Sequence, residues 1–152
     1  MKKLQTITLG CSKNKVDTEH ILSQVESHYE IIPEGEDVSV DVLLINTCGF
    51  IGDAKEESVQ AILEAVEKKK QGDIAKIVVF GCLSQRYGNE LPELIPEVDA
   101  WFGARDFDPV VRELGVEPSK DNISKRYLTT PSHYAYLKIS EGCDRRCSYC
   151  AI

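Results

Sequence analysis

Apolar residues in the first hundred positions form short runs that are separated by longer stretches of mixed character. The run Val42–Ile45 is continuous, which is typical of a parallel strand buried on both faces of a sheet. Runs of similar length, rich in β-branched residues, recur along the chain. They predict strands at Leu4–Leu9, Tyr29–Ile32, Val38–Asn46, Ile74–Phe80 and Val98–Phe102.

Between these runs, apolar residues follow the spacing of helices. The clearest helix is predicted over Asp53–Gln71, where Asp53 and Glu56 resemble a capping box at its start. Lys68–Lys70 complements the dipole at its C-terminal end, and Gly72 closes it. Further helices are predicted over Ser12–Glu26, over Ser84–Leu91 with Pro92 as its stop, and over Asp106–Leu114.

The alternation of strands and helices predicts an α/β fold. We expect a mostly parallel open sheet of about five strands, flavodoxin- or Rossmann-like, with helices on both faces. This domain is expected to cover residues 1–116, with Asp17 and Glu19 in the first turn of its first helix. The polar stretch 117–133 is predicted to be a linker. Tyr134–Ile139 resumes strand character and is expected to begin a second segment, residues 134–152.

Composition narrows the class of protein. The net charge of −7 makes the chain a poor candidate for binding nucleic acid by itself and better suited to a basic partner. No apolar run has the length of a membrane span, and the N-terminus lacks the apolar core of a secretory signal. A cytoplasmic protein is therefore expected, and its six cysteines are expected to be free, catalytic or metal-bound rather than paired in disulfides.

Three cysteines, Cys11, Cys48 and Cys82, each follow a predicted strand directly. The carboxyl ends of parallel strands line up along one edge of a sheet, so these residues are expected to converge there. Three thiolates beside helix N-termini are good iron–sulfur ligands. Two alternatives remain open, namely that the thiols are small buried apolar groups, or that they form a zinc site with a fourth ligand.

The other three cysteines lie close together as Cys143-x3-Cys147-x2-Cys150. A four-iron cluster usually takes four cysteines, so a loop with three leaves one iron open to an external ligand. That arrangement is used in radical chemistry with S-adenosylmethionine. The alternative is a zinc site of three cysteines and one histidine, with His133 as the fourth ligand.

Four stretches together resemble the methylthiotransferases of the radical-SAM superfamily: LGCSKNKVDTE, NTCGFIGDAKEES, GCLSQRY and KISEGCDRRCSYCAI. Within that family they are most similar to the branch that modifies an aspartate of a ribosomal protein. The tRNA-modifying branch usually has Gln after the first cysteine and Ser after the second, where this chain has Ser12 and Gly49. Thr18 and Tyr149 stand where the family commonly has Ser and Phe.

The resemblance implies two 4Fe-4S clusters and S-adenosylmethionine as co-substrate. An auxiliary cluster would be held by Cys11, Cys48 and Cys82, and a radical-SAM cluster by Cys143, Cys147 and Cys150. The implied substrate is the β-carbon of an aspartate in ribosomal protein S-twelve, and the implied reductant is a protein such as flavodoxin or ferredoxin. Residues 134–152 would then begin a truncated (β/α) barrel, and the 152 residues alone are expected to be inactive.

Two other functions stay open at this point. One is a tRNA adenosine methylthiotransferase, which has the same arrangement of cysteines. The other is a non-catalytic α/β module whose thiols are packed in the interior or bind zinc.

Overall fold

A computed structural model of the chain describes residues 1–120 and 124–150. Residues 121–123 of the predicted linker and residues 151–152 of the predicted second segment lie outside the described residues. The elements, in chain order, are β1 (Lys2–Thr8), α1 (Ser12–Val25), β2 (Tyr29–Ile32), β3 (Val40–Thr47), α2 (Gly52–Gln71), β4 (Ile74–Gly81), α3 (Cys82–Tyr87), α4 (Leu91–Leu94), β5 (Ala100–Trp101) and α5 (Asp108–Glu113).

The strands form one five-stranded sheet in the order β2-β1-β3-β4-β5, and every neighbouring pair is parallel. This is the flavodoxin order, so the predicted α/β fold is confirmed. The chain moves outward from β1 to β2 and then crosses back to β3 on the other side of β1. The strand order therefore reverses between β1 and β3, which is where ligands bind in folds of this type.

Side chains of the central strands alternate between two apolar layers. Leu43 and Ile45 of β3 pack in one layer with Ile62 of α2. Val42 and Leu44 of the same strand pack in the other layer, which also contains residues of α1 and α5. Helices cover both faces of the sheet, which explains why Val42–Ile45 of β3 is an uninterrupted apolar run.

Several predicted element boundaries are wrong. The helix after β4 begins at Cys82 and ends at Tyr87, and Pro92 lies in the first turn of α4 instead of stopping a helix. Proline is accepted in a first turn because the N–H that it lacks has no partner there. The N-cap of α2 is Ile51 and has no side-chain cap, so Asp53 acts through the helix dipole and not through a capping box.

The segment after the first domain packs against that domain. Residues 124–138, which we call the strap, contact α1 through hydrogen bonds and an ion pair. Tyr134–Ile139 forms no strand, because no strand in the described ranges lies beside it to complete a ladder of hydrogen bonds. Leu137 and Ile139 are accordingly more than four-fifths exposed, at 82% and 87%.

Candidate metal centre

The first three cysteines lie at the carboxyl edge of three adjacent strands. Cys11 is the N-cap of α1 after β1, Cys48 follows β3, and Cys82 is the first residue of α3 after β4. Cys11 and Cys48 therefore lie on either side of the point where the strand order reverses, and Cys82 lies at the end of the next strand. Cys11 is exposed, Cys82 is half-buried and Cys48 is buried, so the set spans the border between solvent and core.

Glycines let the loops that carry these cysteines touch. A Cβ atom on Gly10 would lie 2.7 Å from the Cβ and 3.1 Å from the Sγ of Cys48. A Cβ on Gly49 would lie 2.8 Å from the Cα of Leu83, the residue after Cys82. Contacts of 2.7 Å and 2.8 Å are too short for the Cβ of a side chain. Only glycine at these two positions therefore allows the three loops to approach in this way.

Two buried asparagines connect β1, β3 and α1 beneath the cysteines. The Nδ2 of Asn14 donates to the carbonyl oxygens of Leu9, at 2.8 Å, and Thr47, at 3.2 Å. The Nδ2 of Asn46 donates to the carbonyl oxygen of Asn14, at 2.8 Å, and to Thr18 Oγ1, at 3.1 Å. These bonds fix the ends of β1 and β3 relative to the start of α1. Neither asparagine stands out in the sequence as a residue with this role.

Ser58 of α2 holds the main chain of Cys48. The Cys48 N–H donates to Ser58 Oγ at 3.0 Å, and the same hydroxyl donates to the Cys48 carbonyl oxygen at 3.1 Å. Ser58 is fully buried, so these bonds are shielded from water. The orientation of the Cys48 backbone is therefore set by α2 as well as by its own strand.

The thiols influence one another electrostatically. Burial raises the pKa of Cys82 to about 11, with further contributions from Cys48 and Cys11 and then from Glu141 and Asp17. The Cys82 thiol therefore holds its proton at neutral pH in the metal-free protein. Because thiolate is the form that binds metal, a metal bound at Cys82 would displace that proton.

The donor set fits an iron–sulfur cluster by type, because thiolates are the usual ligands of such clusters. No group of three or more His, Cys, Asp or Glu side chains within residues 1–120 and 124–150 is arranged around a single ion. A four-iron cluster does not require such convergence, because each of its cysteines binds a different iron.

The second set of cysteines lies in an exposed loop. Cys143, Cys147 and Cys150 are all exposed, and the Cys150 N–H donates to the Cys147 carbonyl oxygen at 3.1 Å. His133 packs edge-on against Tyr134, with ring centroids 5.0 Å apart. Whether these cysteines bind a cluster stays a prediction, as does the alternative role of His133.

Comparison with known proteins identifies the family. Residues 3–103, which include β1 to β5 and the first three cysteines, match the model of the uncharacterized protein family UPF0004. The chain belongs to this family. The part of the chain that matches UPF0004 also includes the residues that support the three cysteines. These are the glycines and asparagines described above and Ser58.

Relatives of this UPF0004 chain carry the name ribosomal protein uS12 methylthiotransferase RimO. The one from Bacteroides thetaiotaomicron is 51% identical over 152 residues, which is 99% of this chain and 35% of the relative. Those from Porphyromonas gingivalis and Pelodictyon phaeoclathratiforme are 52% and 49% identical, with the same coverage. The chain therefore spans about a third of the length of the curated relatives it matches.

No helix in the described part of the chain combines the length and the apolar character needed to cross a bilayer.

Proposed function

We propose that this chain is the N-terminal part of an enzyme that methylthiolates the β-carbon of an aspartate in ribosomal protein uS12 by radical S-adenosylmethionine chemistry. The observation that carries the proposal is identity of about 50%, over almost the whole chain, to proteins named as uS12 methylthiotransferases. The position of three cysteines at the reversal point of the sheet supports it independently, because that edge is the usual ligand site of the fold.

In this proposal the six cysteines hold two 4Fe-4S clusters. The auxiliary cluster takes Cys11, Cys48 and Cys82, and the radical-SAM cluster takes Cys143, Cys147 and Cys150. When bound, the clusters would supply the electron that cleaves S-adenosylmethionine and the site that delivers sulfur.

The protein's own contribution at the first site is positioning and partial exclusion of water. The bonds of Ser58 to both sides of the Cys48 peptide keep that cysteine buried and oriented. Cys11 is exposed on the same edge, which leaves one side of the site accessible to a reactant. Phe50 and Ile51, which are 41% and 69% exposed, add an apolar border beside Cys48.

The proposed partners follow from the proposed reaction. They are ribosomal protein uS12 or the small ribosomal subunit, and a reductant protein such as flavodoxin or ferredoxin. The net charge of −7 supports a basic protein partner and argues against direct binding of nucleic acid by this part of the chain. A ribosomal substrate implies a cytoplasmic enzyme without a membrane partner.

Iron loading tests the ligand assignment. After anaerobic reconstitution we expect about eight irons per chain, four for each cluster, by iron analysis and Mössbauer spectroscopy. Replacing Cys11, Cys48 and Cys82 together with Ala should remove about four of them. The matched triple replacement of Cys143, Cys147 and Cys150 should remove the other half. Unchanged iron in the first variant, or zinc in place of iron in the parent protein, would contradict the assignment.

The substrate is tested in cells that lack the full-length gene. Mass spectrometry should show that uS12 has lost its methylthio group while the methylthiolated tRNA is intact. The opposite result would favour the tRNA-modifying function. Complementation with a full-length gene that carries Cys48→Ala should not restore the modification of uS12.

A further inference from the structure

The strap, residues 124–138, runs along α1 in a fixed antiparallel order. Near the C-terminal end of the helix, Ser23 Oγ donates to the carbonyl oxygen of Lys125 at 2.9 Å. Near the N-terminal end, Lys138 Nζ lies 2.7 Å from Asp17 Oδ1. From residue 125 to residue 138 of the strap, the contacts move back along α1 from residue 23 to residue 17. The two segments therefore run in opposite directions. The strap returns the chain to the end of α1 at which the helix begins.

Glu19 forms the central contact between the strap and α1. Its side chain is fully buried, and its Oε2 lies 3.0 Å from Arg126 Nη2. Its Oε1 accepts hydrogen bonds from the N–H and the Oγ1 of Thr129, both at 2.9 Å. Its carbonyl oxygen also accepts the N–H of Tyr127 at 3.1 Å. Within the described ranges, every polar partner of this carboxylate belongs to the strap.

A carboxylate removed from water requires such partners, because an ionised group is very costly to bury alone. Arg126 supplies the opposite charge, and its own side chain is only 14% exposed. Thr129 supplies two donors to the remaining oxygen. The buried state of Glu19 and the position of the strap therefore depend on each other, which distinguishes this contact from an exposed ion pair of little energetic value.

The strap ends beside the half of α1 that begins at the first cysteine. Cys11 is the N-cap of α1, and Asp17 lies in the same half of that helix. Lys138 pairs with Asp17 and also with Glu141, two residues before Cys143. The ion pairs of Lys138 thus connect the start of the second cysteine loop to the helix that begins at the first site.

We infer that Glu19 and Asp17 are positioning residues, which fix the register of the strap on α1 and thereby hold the loop Cys143–Cys150 at the edge formed by Cys11, Cys48 and Cys82. The value of this arrangement for catalysis rests on the proposed function, because two clusters that share one reactant must lie close together. The contacts of the strap with α1 are present in the chain without metal, so the experiments use the metal-free chain.

Hydrogen exchange of the metal-free chain tests the contact at Glu19. Glu19→Gln keeps the shape of the side chain but removes the charge that faces Arg126. We expect exchange at the amides of Tyr127 and Thr129 to become about tenfold faster or more, since the ion pair with Arg126 is lost and Thr129 then donates to a neutral acceptor. Amides of β3 should keep their protection, which shows that the sheet stays folded. The matched control is Glu57→Gln, which changes an exposed glutamate on α2.

Thiol cross-linking tests where the loop is held. Dibromobimane, a short reagent that joins two nearby thiols, is added to the metal-free chain, and the linked peptides are mapped by mass spectrometry. We expect a product that joins Cys143 to Cys11 or Cys82, and a several-fold lower yield of it in Glu19→Gln and in Asp17→Asn. Links within the Cys143–Cys150 loop should be unaffected and serve as the internal reference.

A second pair of variants keeps the inference falsifiable if Glu19→Gln does not fold. Arg126→Gln and Lys138→Met change only the strap, outside the apolar core of the sheet. Each should lower the yield of the link between the two sites, and Asp17→Asn combined with Lys138→Met should lower it no further than either change alone. Unchanged amide protection and unchanged cross-linking in these variants would overturn the inference. Failure of the chain to bind iron would contradict only the proposed function.

Discussion

At the scale of single residues, the cysteine edge depends on polar contacts beneath it. Ser58 bonds to both the N–H and the carbonyl oxygen of Cys48. Ser58→Ala leaves two buried backbone groups without this partner, and we expect the free energy of unfolding to fall by about 1–3 kcal/mol. Urea denaturation measures this change. Ser27→Ala, at an exposed position, is the control and should change stability little. Equal stability of the two variants would contradict this role of Ser58.

Gly81 and Gly72 both have a positive φ, but only the surroundings of Gly81 are crowded. Its φ is 110°, and an added Cβ would lie 2.6 Å from both Asn46 Oδ1 and the Thr47 carbonyl oxygen. Gly72 has φ 92° but nothing within 4 Å of an added Cβ.

We therefore expect Gly81→Ala to destabilise the protein by about 3 kcal/mol or more, since backbone strain and overpacking add together. Gly72→Ala should cost only the strain, about 1 kcal/mol. Thermal unfolding of the two variants under identical conditions gives the comparison. A similar cost for both would show that the loop around Gly81 relaxes.

The sequence predicted the positions of the cysteines better than the positions of their supports. Cys11, Cys48 and Cys82 were found because each follows an apolar run, which is a local signal. Ser58 and Glu19 act through partners that no local pattern reveals, and Glu19 meets Thr129 across 110 residues. In the sequence, both residues lie in segments with ordinary helical spacing. That their side chains are buried can be seen only in the structure.

At the scale of elements, Asp99 joins α2 to the strand β4. Its Oδ2 accepts hydrogen bonds from Lys69 Nζ at 2.5 Å and from the N–H of Ile77 at 2.7 Å. Burial would raise the pKa of Asp99, but these bonds outweigh it and hold the pKa below the ordinary value of 3.8. The connection therefore favours the ionised carboxylate in the folded state.

Asp99 should make stability depend on pH in the acid range. Since its folded pKa is lowered, its contribution is present above the unfolded pKa of about 4 and is lost as the pH falls through the folded value. We expect Asp99→Asn to be less stable at pH 7 and to lose less stability on acidification. Urea denaturation across pH 2–7 measures both effects. Asp37→Asn, which changes the exposed partner of Lys68, should leave the profile unchanged.

The sequence predicted an element correctly where the element's own apolar residues are buried. It failed where the element needs a neighbouring strand in order to form. The strand β3 was found nearly to its ends because both of its faces are buried. Tyr134–Ile139 has the composition of a strand, but a strand needs a neighbour to accept its hydrogen bonds, and none is supplied in the described ranges. Composition alone did not distinguish these two cases.

At the scale of the whole molecule, the sheet domain and the strap should be separable. Ending the chain after Val116 removes the strap but no strand or helix of the sheet domain. We expect cooperative unfolding with the far-UV circular dichroism of a folded domain, and a free energy of unfolding lower by about 2–4 kcal/mol from the lost charged hydrogen bonds. A chain that ends after Gly142 keeps the strap and should be as stable as the parent protein. A non-cooperative transition in the shorter chain would refute the predicted boundary at residue 116.

The topology was predictable because few folds suit five parallel strands that alternate with helices. The path of the strap was not, because residues 117–133 are polar and contain prolines, as flexible linkers also do. The contact between the strap and α1 is made by polar side chains on both sides. It therefore leaves no apolar pattern in the sequence from which it could be predicted. The buried pair of Glu19 and Arg126 reveals that the strap is part of the folded unit.

The long separation of Glu19 from its partners gives the chain an order of assembly during its synthesis. The Thr129 that bonds to Glu19 is made 110 residues later, which at roughly 5–20 residues per second is a delay of roughly 5–20 s. The strands and helices of the sheet domain are all complete by residue 113, before the strap emerges from the ribosome. The residues that form the edge with the first three cysteines thus leave the ribosome before the last three cysteines do. In the proposed function, the ligands of the first cluster would therefore become available to iron before those of the second.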